Sequence, residues 1–489
     1  MTQAVSTLLI FFSLLLILYL LAIVALTLQR IRAKQLKSIS ANTLLIVYAT
    51  QSGQSEHLAT QMVAQLAEAG EQVQLLNIEQ LSAEQLEIAN RVIWVVSTYG
   101  EGDAPDQAQH FDHYILKQNL DLAHQSYAVL ALGDRRYANF CEFGHRLSQM
   151  LQQYQATPWF DLVTVDQLSQ DDLLHWNNLL TQQFQHDFAL STPVREWNAI
   201  LLKSRHLLNE GSQGNALYHL CFDVSSTMTW QSGDIVEIQC ENSNQILEDF
   251  QVQFPDLNAI QIEQLRDRNL RDFPAQLPQQ QTADWLEGFK QLPVREYSIA
   301  SIQSDGQLDL VVRQEINGAE LGLGSGLLTQ GLKLGQTIQA YVRRNQSFQL
   351  CKEARPAIFI GNGSGIAGLL AHLKQRIVDK EYQNWLIYGE RQSAFDHVFS
   401  ENLETWQRLG QITTVNRVFS RDESSEKYVQ DVLRNHANEF KYWVEQGVCI
   451  YLCGSLNMAQ GVDDALEEIL GITQINALRK AGRYRRDVY

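Results

Sequence analysis

Leu44-Leu45-Ile46-Val47-Tyr48-Ala49-Thr50-Gln51-Ser52-Gly53-Gln54-Ser55 is an apolar run that breaks into hydroxyls, glutamines and a single glycine. An unbroken apolar run of this length fits a strand covered on both faces, as in a parallel sheet. A helical pattern follows from about Glu56 to Ala69 and is closed by Gly70. Strand-like runs recur at 73–76, 92–97, 128–132 and near 157–163, with helical stretches between them. Strand and helix alternating in this way predicts a doubly wound α/β domain over residues 41–190, with helices on both faces of a parallel sheet.

Outward toward the C-terminus the rhythm changes. The runs 217–224, 235–239, 296–302, 308–312 and 337–342 read as antiparallel strands of a barrel occupying 191–354. Inside it, residues 241–291 are Gln-rich and polar, with helical hints but no clear periodic element. From Ala357 the alternation returns: 358–360, 385–388, 413–418 and 448–452 are each followed by a helical stretch, which makes 355–489 a second α/β domain.

Outward toward the N-terminus, Leu8 to Leu28 carries no charge and is rich in Leu, Ile, Phe, Val and Ala. As a helix it would span about 30 Å, enough to cross a bilayer. Arg30, Arg32, Lys34 and Lys37 follow at once, so the positive-inside rule places everything after them in the cytoplasm. A cleaved signal peptide is the rival reading, but it wants a basic start and a shorter apolar run. Residues 1–40 are therefore expected to form a single-pass transmembrane anchor with a basic juxtamembrane stretch, holding the chain at the inner (cytoplasmic) membrane.

Composition narrows the function. The 489 residues are 45% apolar and 19% charged, an ordinary globular balance. A net charge of −17 argues against nucleic acid, whose phosphates need a basic footprint. Much of that charge sits in 41–190, where 5 Lys/Arg face 18 Asp/Glu. Such a face either steers a basic partner or serves solubility. The six cysteines form no C-x-x-C pair and no His/Cys cluster, so neither a metal site nor a disulfide framework is expected.

Three loops at strand ends of the first domain carry chemistry. Thr50 to Ser55 lies between a strand and a helix N-terminus, where hydroxyls and free N–H groups cradle a phosphate or simply cap the helix. It lacks the Gly-x-x-x-x-Gly-Lys pattern of a triphosphate loop, which favours a monophosphate. Ser97-Thr98-Tyr99-Gly100-Glu101-Gly102-Asp103 and Leu132-Gly133-Asp134-Arg135-Arg136-Tyr137-Ala138-Asn139-Phe140-Cys141 each set aromatic rings beside a turn-forming glycine. Two rings so placed sandwich a flat heterocycle, unless they are plain surface tyrosines. All three loops fall where open α/β sheets hold ligands, beyond the carboxyl ends of their strands.

In that order and spacing these loops resemble the FMN site of diflavin reductases, the group that includes NADPH–cytochrome reductases, nitric oxide synthase reductase halves and sulfite reductase flavoproteins. The resemblance covers about residues 43–489. It implies a flavodoxin-like domain followed by a ferredoxin–NADP reductase-like module. Thr50, Gln51, Ser52, Gly53, Gln54 and Ser55 would hold the FMN phosphate, and Ser97, Thr98, Tyr99 and Gly100 would border its ring. Leu132, Gly133, Asp134, Tyr137, Phe140 and Cys141 complete that site, with Tyr99 and Tyr137 on the two ring faces.

In the second half, Arg295-Glu296-Tyr297-Ser298 is similar to the family's R-x-Y-S motif for FAD: an arginine for pyrophosphate, a tyrosine against the isoalloxazine, a serine reaching N5. Gly322, Gly324 and Ser325 fit the Gly-rich turn on the same pyrophosphate, and Leu310, Val311 and Val312 should border the cofactor. Ile360-Gly361-Asn362-Gly363-Ser364-Gly365-Ile366 follows a strand and opens a helix, and in the family this loop meets the NADPH pyrophosphate through Gly361, Gly363, Ser364 and Gly365. Taken alone it reads equally as tight strand–helix packing. Ser420 and Arg421, with Lys427, Tyr428 and Gln430, match the set for the 2′-phosphate that NADH lacks. Tyr451-Leu452-Cys453-Gly454 resembles the strand that brings a cysteine beside the nicotinamide. The ending Gly482 to Tyr489 is similar to that of sulfite reductase flavoproteins, where a final tyrosine covers the FAD ring. By resemblance Ser298, Cys453 and Asp487 surround hydride transfer, and Tyr489 moves to admit the nicotinamide.

The chain departs from the family in three places. The connecting segment inside the barrel is shortened to about 241–291. Ser364 and Gly368 stand where the family usually has Thr and Pro, and Ser455 replaces an acidic residue. The resulting expectation is an NADPH-dependent diflavin reductase passing electrons through FAD and FMN to a one-electron acceptor docked on the acidic FMN domain. That acceptor would be a haemoprotein, either the sulfite reductase haemoprotein or a cytochrome. A membrane-associated ferric–siderophore or quinone reductase is the alternative enzyme, and a non-catalytic flavin-binding membrane scaffold the alternative of another class.

Overall fold

The computed structural model describes residues 42–50, 53–99, 102–108, 111–115, 118–135, 138–192, 195–270, 285–286, 288–318 and 320–489. The chain divides into two compact units, Met1–Pro193 and Val194–Tyr489.

In the first unit β1 (Leu44–Ala49), α1 (Gln54–Glu68), β2 (Val73–Asn77), α2 (Ala83–Ile88), β3 (Arg91–Ser97), β4 (Ser126–Gly133), α3 (Glu142–Gln153), β5 (Thr157–Pro158), β6 (Val163–Asp166) and α4 (Gln170–Phe184) follow one another. The sheet runs β2-β1-β3-β4-β5, with β6 also paired to β4, and every pairing is parallel. Alternate residues of the central strands feed two cores. Leu45, Val47, Val92 and Trp94 enter one, while Leu44, Ile46, Ile93 and Val95 enter the other. Both faces are covered, which is why these strands read as unbroken apolar runs. The order reverses between β1 and β3, the point at which such sheets open a crevice for ligands.

The second unit begins with β7 (Asn198–Leu207), β8 (Leu217–Asp223), β9 (Ile235–Ile238), α5 (Asn244–Gln253), α6 (Ala259–Glu263), β10 (Arg295–Ser298), β11 (Leu308–Arg313), β12 (Ile316–Asn317), β13 (Glu320–Leu321), α7 (Leu323–Gly326) and β14 (Thr337–Arg343). Six of these strands form an antiparallel sheet in the order β10-β9-β14-β7-β8-β11. A bridge between Ile299 and Leu310 brings its two edges together, so the sheet closes as a barrel. The Gln-rich stretch between β9 and β10 folds around apolar residues that its composition conceals. Leu247, Phe250 and Phe254 line one side of α5 and its end, and pack with Ile262, Trp285 and Phe289.

The chain ends in β15 (Ala357–Asn362), α8 (Ile366–Val378), β16 (Asn384–Glu390), α9 (Ser400–Arg408), β17 (Thr414–Phe419), α10 (Val429–Asn435), α11 (Ala437–Glu445), β18 (Cys449–Gly454), α12 (Leu456–Leu470), α13 (Ile472–Lys480) and β19 (Tyr484–Val488). This second parallel sheet runs β17-β16-β15-β18-β19. Its last member is the C-terminus itself, ordered because each residue pairs in register with β18.

Two expectations are corrected here. The anchor expected over 8–28 lies outside the described residues, and among those described no helix is long and apolar enough to cross a membrane. The placement at the inner membrane, which rested on that segment alone, does not stand. Nor are the cysteines all free: Cys351 and Cys449 are joined as a disulfide between the segment after β14 and the start of β18. Ninety-eight residues separate them, and no spacing rule pairs cysteines over such a distance.

Candidate functional site

The first unit gathers its loops at the carboxyl ends of β1, β3 and β4. Gly53 turns the chain into α1 with φ +81°, a left-handed conformation that costs glycine little, and its N–H donates to Thr50 Oγ1 at 2.8 Å. In the first turn of α1 the Ser55 hydroxyl is wholly buried and has no hydrogen-bond partner among the described residues. A buried hydroxyl left unpaired is costly, and a phosphate at this helix N-terminus would satisfy it. The residues thus fit the phosphate end of FMN. In the second loop Tyr99 and Asp103 exchange backbone hydrogen bonds at 2.9 Å, and Thr98 Oγ1 accepts from Phe143 N–H at 3.2 Å.

The third loop is fastened by Asp134, which accepts from Gln167 at 2.9 Å, and by Arg135 lying 5.0 Å from the centre of the Phe140 ring. Leu132 and Cys141 turn into the cores, and the Cys141 thiol donates to Ala131 O at 3.3 Å. Burial pushes that thiol up to about 12. With these two side chains turned into the cores, it is their backbone that faces the loop end of the strands. Gln51, Ser52, Gly100 and Tyr137 lie outside the described residues.

In the second unit the barrel and the parallel sheet meet around three side chains from three strands. Ser298 Oγ, at the end of β10, donates to Asp487 Oδ2 at 2.8 Å. The Cys453 thiol approaches the same oxygen at 3.8 Å, because β18 and β19 set Cys453 opposite Asp487. Burial pushes the Asp487 carboxyl up to about 6, against the opposing pull of the Ser298 hydrogen bond and the Arg343 charge. Burial also holds the Cys453 thiol well above its ordinary value, so it keeps its proton. Beneath them is Gly368 on α8, where an added Cβ would lie 3.5 Å from the Cys453 sulfur and 3.6 Å from Ser298 Cβ. Tyr489 is half-exposed and donates to Ser364 Oγ at 3.0 Å.

The glycine-rich segments fit tight approaches. At Gly324 a Cβ would fall 2.6 Å from both Arg295 Cγ and the Tyr297 hydroxyl, so only glycine lets this turn lie on the Arg295–Ser298 strand. Ser325 Oγ accepts from Glu315 N–H at 3.0 Å and holds the turn. At Gly361 and Gly365 a Cβ would fall 2.5 and 2.2 Å from the Cys453 carbonyl. Tyr388 Oη donates to Gly363 O and to Glu390, which also accepts from Arg313 at 2.7 Å. Leu310 and Val312 fill the barrel core, and Val311 packs on the core of the parallel sheet.

Beyond the end of β17, Ser420 and Arg421 N–H groups donate to the Glu390 and Arg391 carbonyls. Lys427 and Tyr428 N–H groups donate to the Asp431 carboxylate at the start of α10. Arg421 and Lys427 are exposed, and among the described residues neither has an ion pair. Gln430 lies against Gly461, where a Cβ would come within 2.8 Å of its amide.

Sequence reasoning missed one cluster. His219 and Cys221 on β8 and Asp309 on β11 bring their ligand-type atoms within 4.8 Å of one another. Its only sequence signal is the alternate spacing of His219 and Cys221 on one strand face; Asp309 arrives by register, opposite Cys221. Burial works against a charged imidazole there, but the hydrogen bonds and charges of Asp309 and Cys221 together outweigh it and hold His219 at about 9. With Lys374 Nζ 3.7 Å from the same carboxylate, the trio reads as an ion-pair network and not as a metal site.

Against this geometry stand the comparisons with known proteins. Residues 46–176 match the flavodoxin family and 359–464 the oxidoreductase NAD-binding domain family. Together with the chain's relatives these matches support an oxidoreductase that transfers electrons from NADPH as a diflavin reductase, with FMN, FAD and NADPH as its cofactors. Those relatives are sulfite reductase (NADPH) flavoprotein alpha-components. That of Vibrio vulnificus is 28% identical over 92% of this chain and 88% of its own length. Those of Aliivibrio fischeri and Blochmanniella floridana are 27% and 25% identical, over 94% and 92% of this chain and 91% and 89% of their own lengths.

Proposed function

We propose that this diflavin reductase serves a haem-containing one-electron acceptor, the haemoprotein of a sulfite reductase assembly. The observation that carries the reading is the Ser298–Asp487–Cys453 cluster at the meeting of β10, β18 and β19. Such a cluster suits a hydride step: it holds one hydroxyl and one thiol proton around a single carboxylate. When bound, FAD takes the hydride of NADPH and FMN hands electrons on singly. Ser298 would present its hydroxyl oxygen to a bound flavin, and Asp487 fixes the direction of that hydroxyl. Cys453 stays a neutral thiol, and Tyr489 is held to Ser364 of the glycine-rich loop. Arg421 and Lys427 supply two uncompensated cations for a 2′-phosphate. Support for the acceptor comes from the relatives, which are by name components of a sulfite reductase, and from the acidic first unit, which would steer a basic docking face.

The test is anaerobic titration of the purified chain with NADPH, then with sulfite reductase haemoprotein. One FMN and one FAD per chain, both bleached by NADPH and reoxidised by the haemoprotein, is the expected outcome. Bleaching without reoxidation would reject the acceptor. The double variant Arg421→Ala/Lys427→Ala should raise the KM for NADPH at least tenfold and leave that for NADH nearly unchanged; equal loss with both would reject the 2′-phosphate role.

A further inference from the structure

Two carboxylates are cross-strand neighbours on adjacent strands of the barrel. Glu296 on β10 is directly opposite Glu237 on β9, an arrangement that repels unless a cation lies between them. Arg343, at the end of β14, is that cation: its Nε donates to Glu237 at 3.1 Å and its Nη2 to Glu296 at 2.6 Å. Glu237 is buried and also pairs with Arg195 at 2.7 Å. The same three strands carry Ser298 opposite Ile235 and Ile235 opposite Arg343, which puts the serine and the arginine on one sheet face. Ser298 in turn holds Asp487. The clamp therefore lies on the sheet face of the serine that holds the carboxylate of the proposed hydride site.

We propose that Arg343 is a positioning residue for the hydride step: clamped by Glu237 and Glu296, it keeps the Asp487 carboxylate ionised and able to accept from Ser298 and Cys453. The charged and titratable groups around Asp487 are few. Cys453 on β18 is a neutral thiol. Glu296 on β10 opposes ionisation and Arg343 on β14 favours it, while Glu237 on β9 pairs with Arg343 and Arg195. On β19 itself Arg485 is engaged with the Gly482 and Gln346 carbonyls, and just beyond it Tyr489 is engaged with Ser364. Arg343 is the cation whose charge acts on Asp487, and Glu296 the anion that offsets it.

The inference rests on the hydride reading, and its test separates the two. In the holoenzyme the protonated-carboxyl infrared band that disappears in Asp487→Asn would be titrated alongside the acid limb of NADPH-driven flavin reduction. Arg343→Gln should raise both midpoints by one unit or more, and Arg343→Lys should keep them within a few tenths. Glu296→Gln, at a half-exposed position that spares the fold, should lower them. Unmoved midpoints in Arg343→Gln, or shifts of the same sign in Arg343→Gln and Glu296→Gln, would overturn the role of Arg343. An infrared titration that shifts as expected while Asp487→Asn reduces flavin at the wild-type rate would leave the clamp standing and reject the hydride reading instead.

Discussion

Asp487 is a carboxyl that the fold holds at some cost. Burial raises its pKa from the ordinary carboxylate value of 3.8 to about 6, and the Ser298 bond and Arg343 only partly oppose the rise. The folded state therefore binds this proton more tightly than the unfolded chain does. Stability falls as pH rises from about 4 through about 6, and the penalty is present in full above that range. Asp487→Asn keeps the shape and removes the charge, so at pH 8 the variant should be more stable by about 1–2 kcal/mol. The difference should close toward pH 4. Urea midpoints at the two pH values check this, and a variant less stable at pH 8 would contradict it. Nothing in the sequence spacing joins Ser298 to Asp487, 189 residues apart; only the resemblance of the two motifs to a known family suggested that they meet. Their meeting is a product of register, since β19 is fixed against β18 and a slip of one residue would turn Asp487 to the opposite face.

At the level of elements, the nucleotide loop shows how little freedom a strand–helix turn has when it crosses another strand. Gly365 has no positive φ, so alanine is not excluded by its backbone. The obstacle is the Cys453 carbonyl, 2.2 Å from where a Cβ would sit, with Gly454 Cα at 2.8 Å. Backbone atoms of a central strand cannot give way as a side-chain tip can. Gly365→Ala should therefore destabilise the second unit by about 1–3 kcal/mol, through overpacking. It should also displace Cys453 from Asp487. A thermal melt reports the first effect, and unaltered melting would show that α8 can shift away from β18. The sheets were legible from sequence because strands covered on both faces must be apolar throughout, as in β1, β3 and β15. Helices α5 and α6 were not, because their apolar residues at 247, 250, 254 and 262 are diluted by glutamine and asparagine and pack chiefly on one another. The Cys351–Cys449 bond was hidden for a similar reason: it depends on where a linker crosses β18.

For the whole molecule, the division at Pro193/Val194 separates two complete sets of cores. Among the described residues, those of the first unit draw on residues up to Leu190, and those of the second on residues from Ile200 onward. Each unit also carries the loops proposed for its own ligands: those within 50–141 in one and those within 295–489 in the other. A chain beginning at Val194 should consequently fold alone and retain FAD but no FMN. With the hydride cluster and the exposed Arg421 and Lys427 intact, it should reduce ferricyanide from NADPH at a rate within about threefold of the full chain. Ferricyanide is small and can take electrons at the FAD itself. A haemoprotein acceptor, by contrast, must dock, and the charge of −13 that would steer a basic face belongs to residues 41–190. The fragment should therefore lose haemoprotein reduction almost completely. Should it reduce the haemoprotein as well as the full chain does, electrons would be leaving from the FAD side, and the acidic unit would have to be assigned another task. An insoluble or FAD-free fragment would show instead that the second unit depends on the first for its fold.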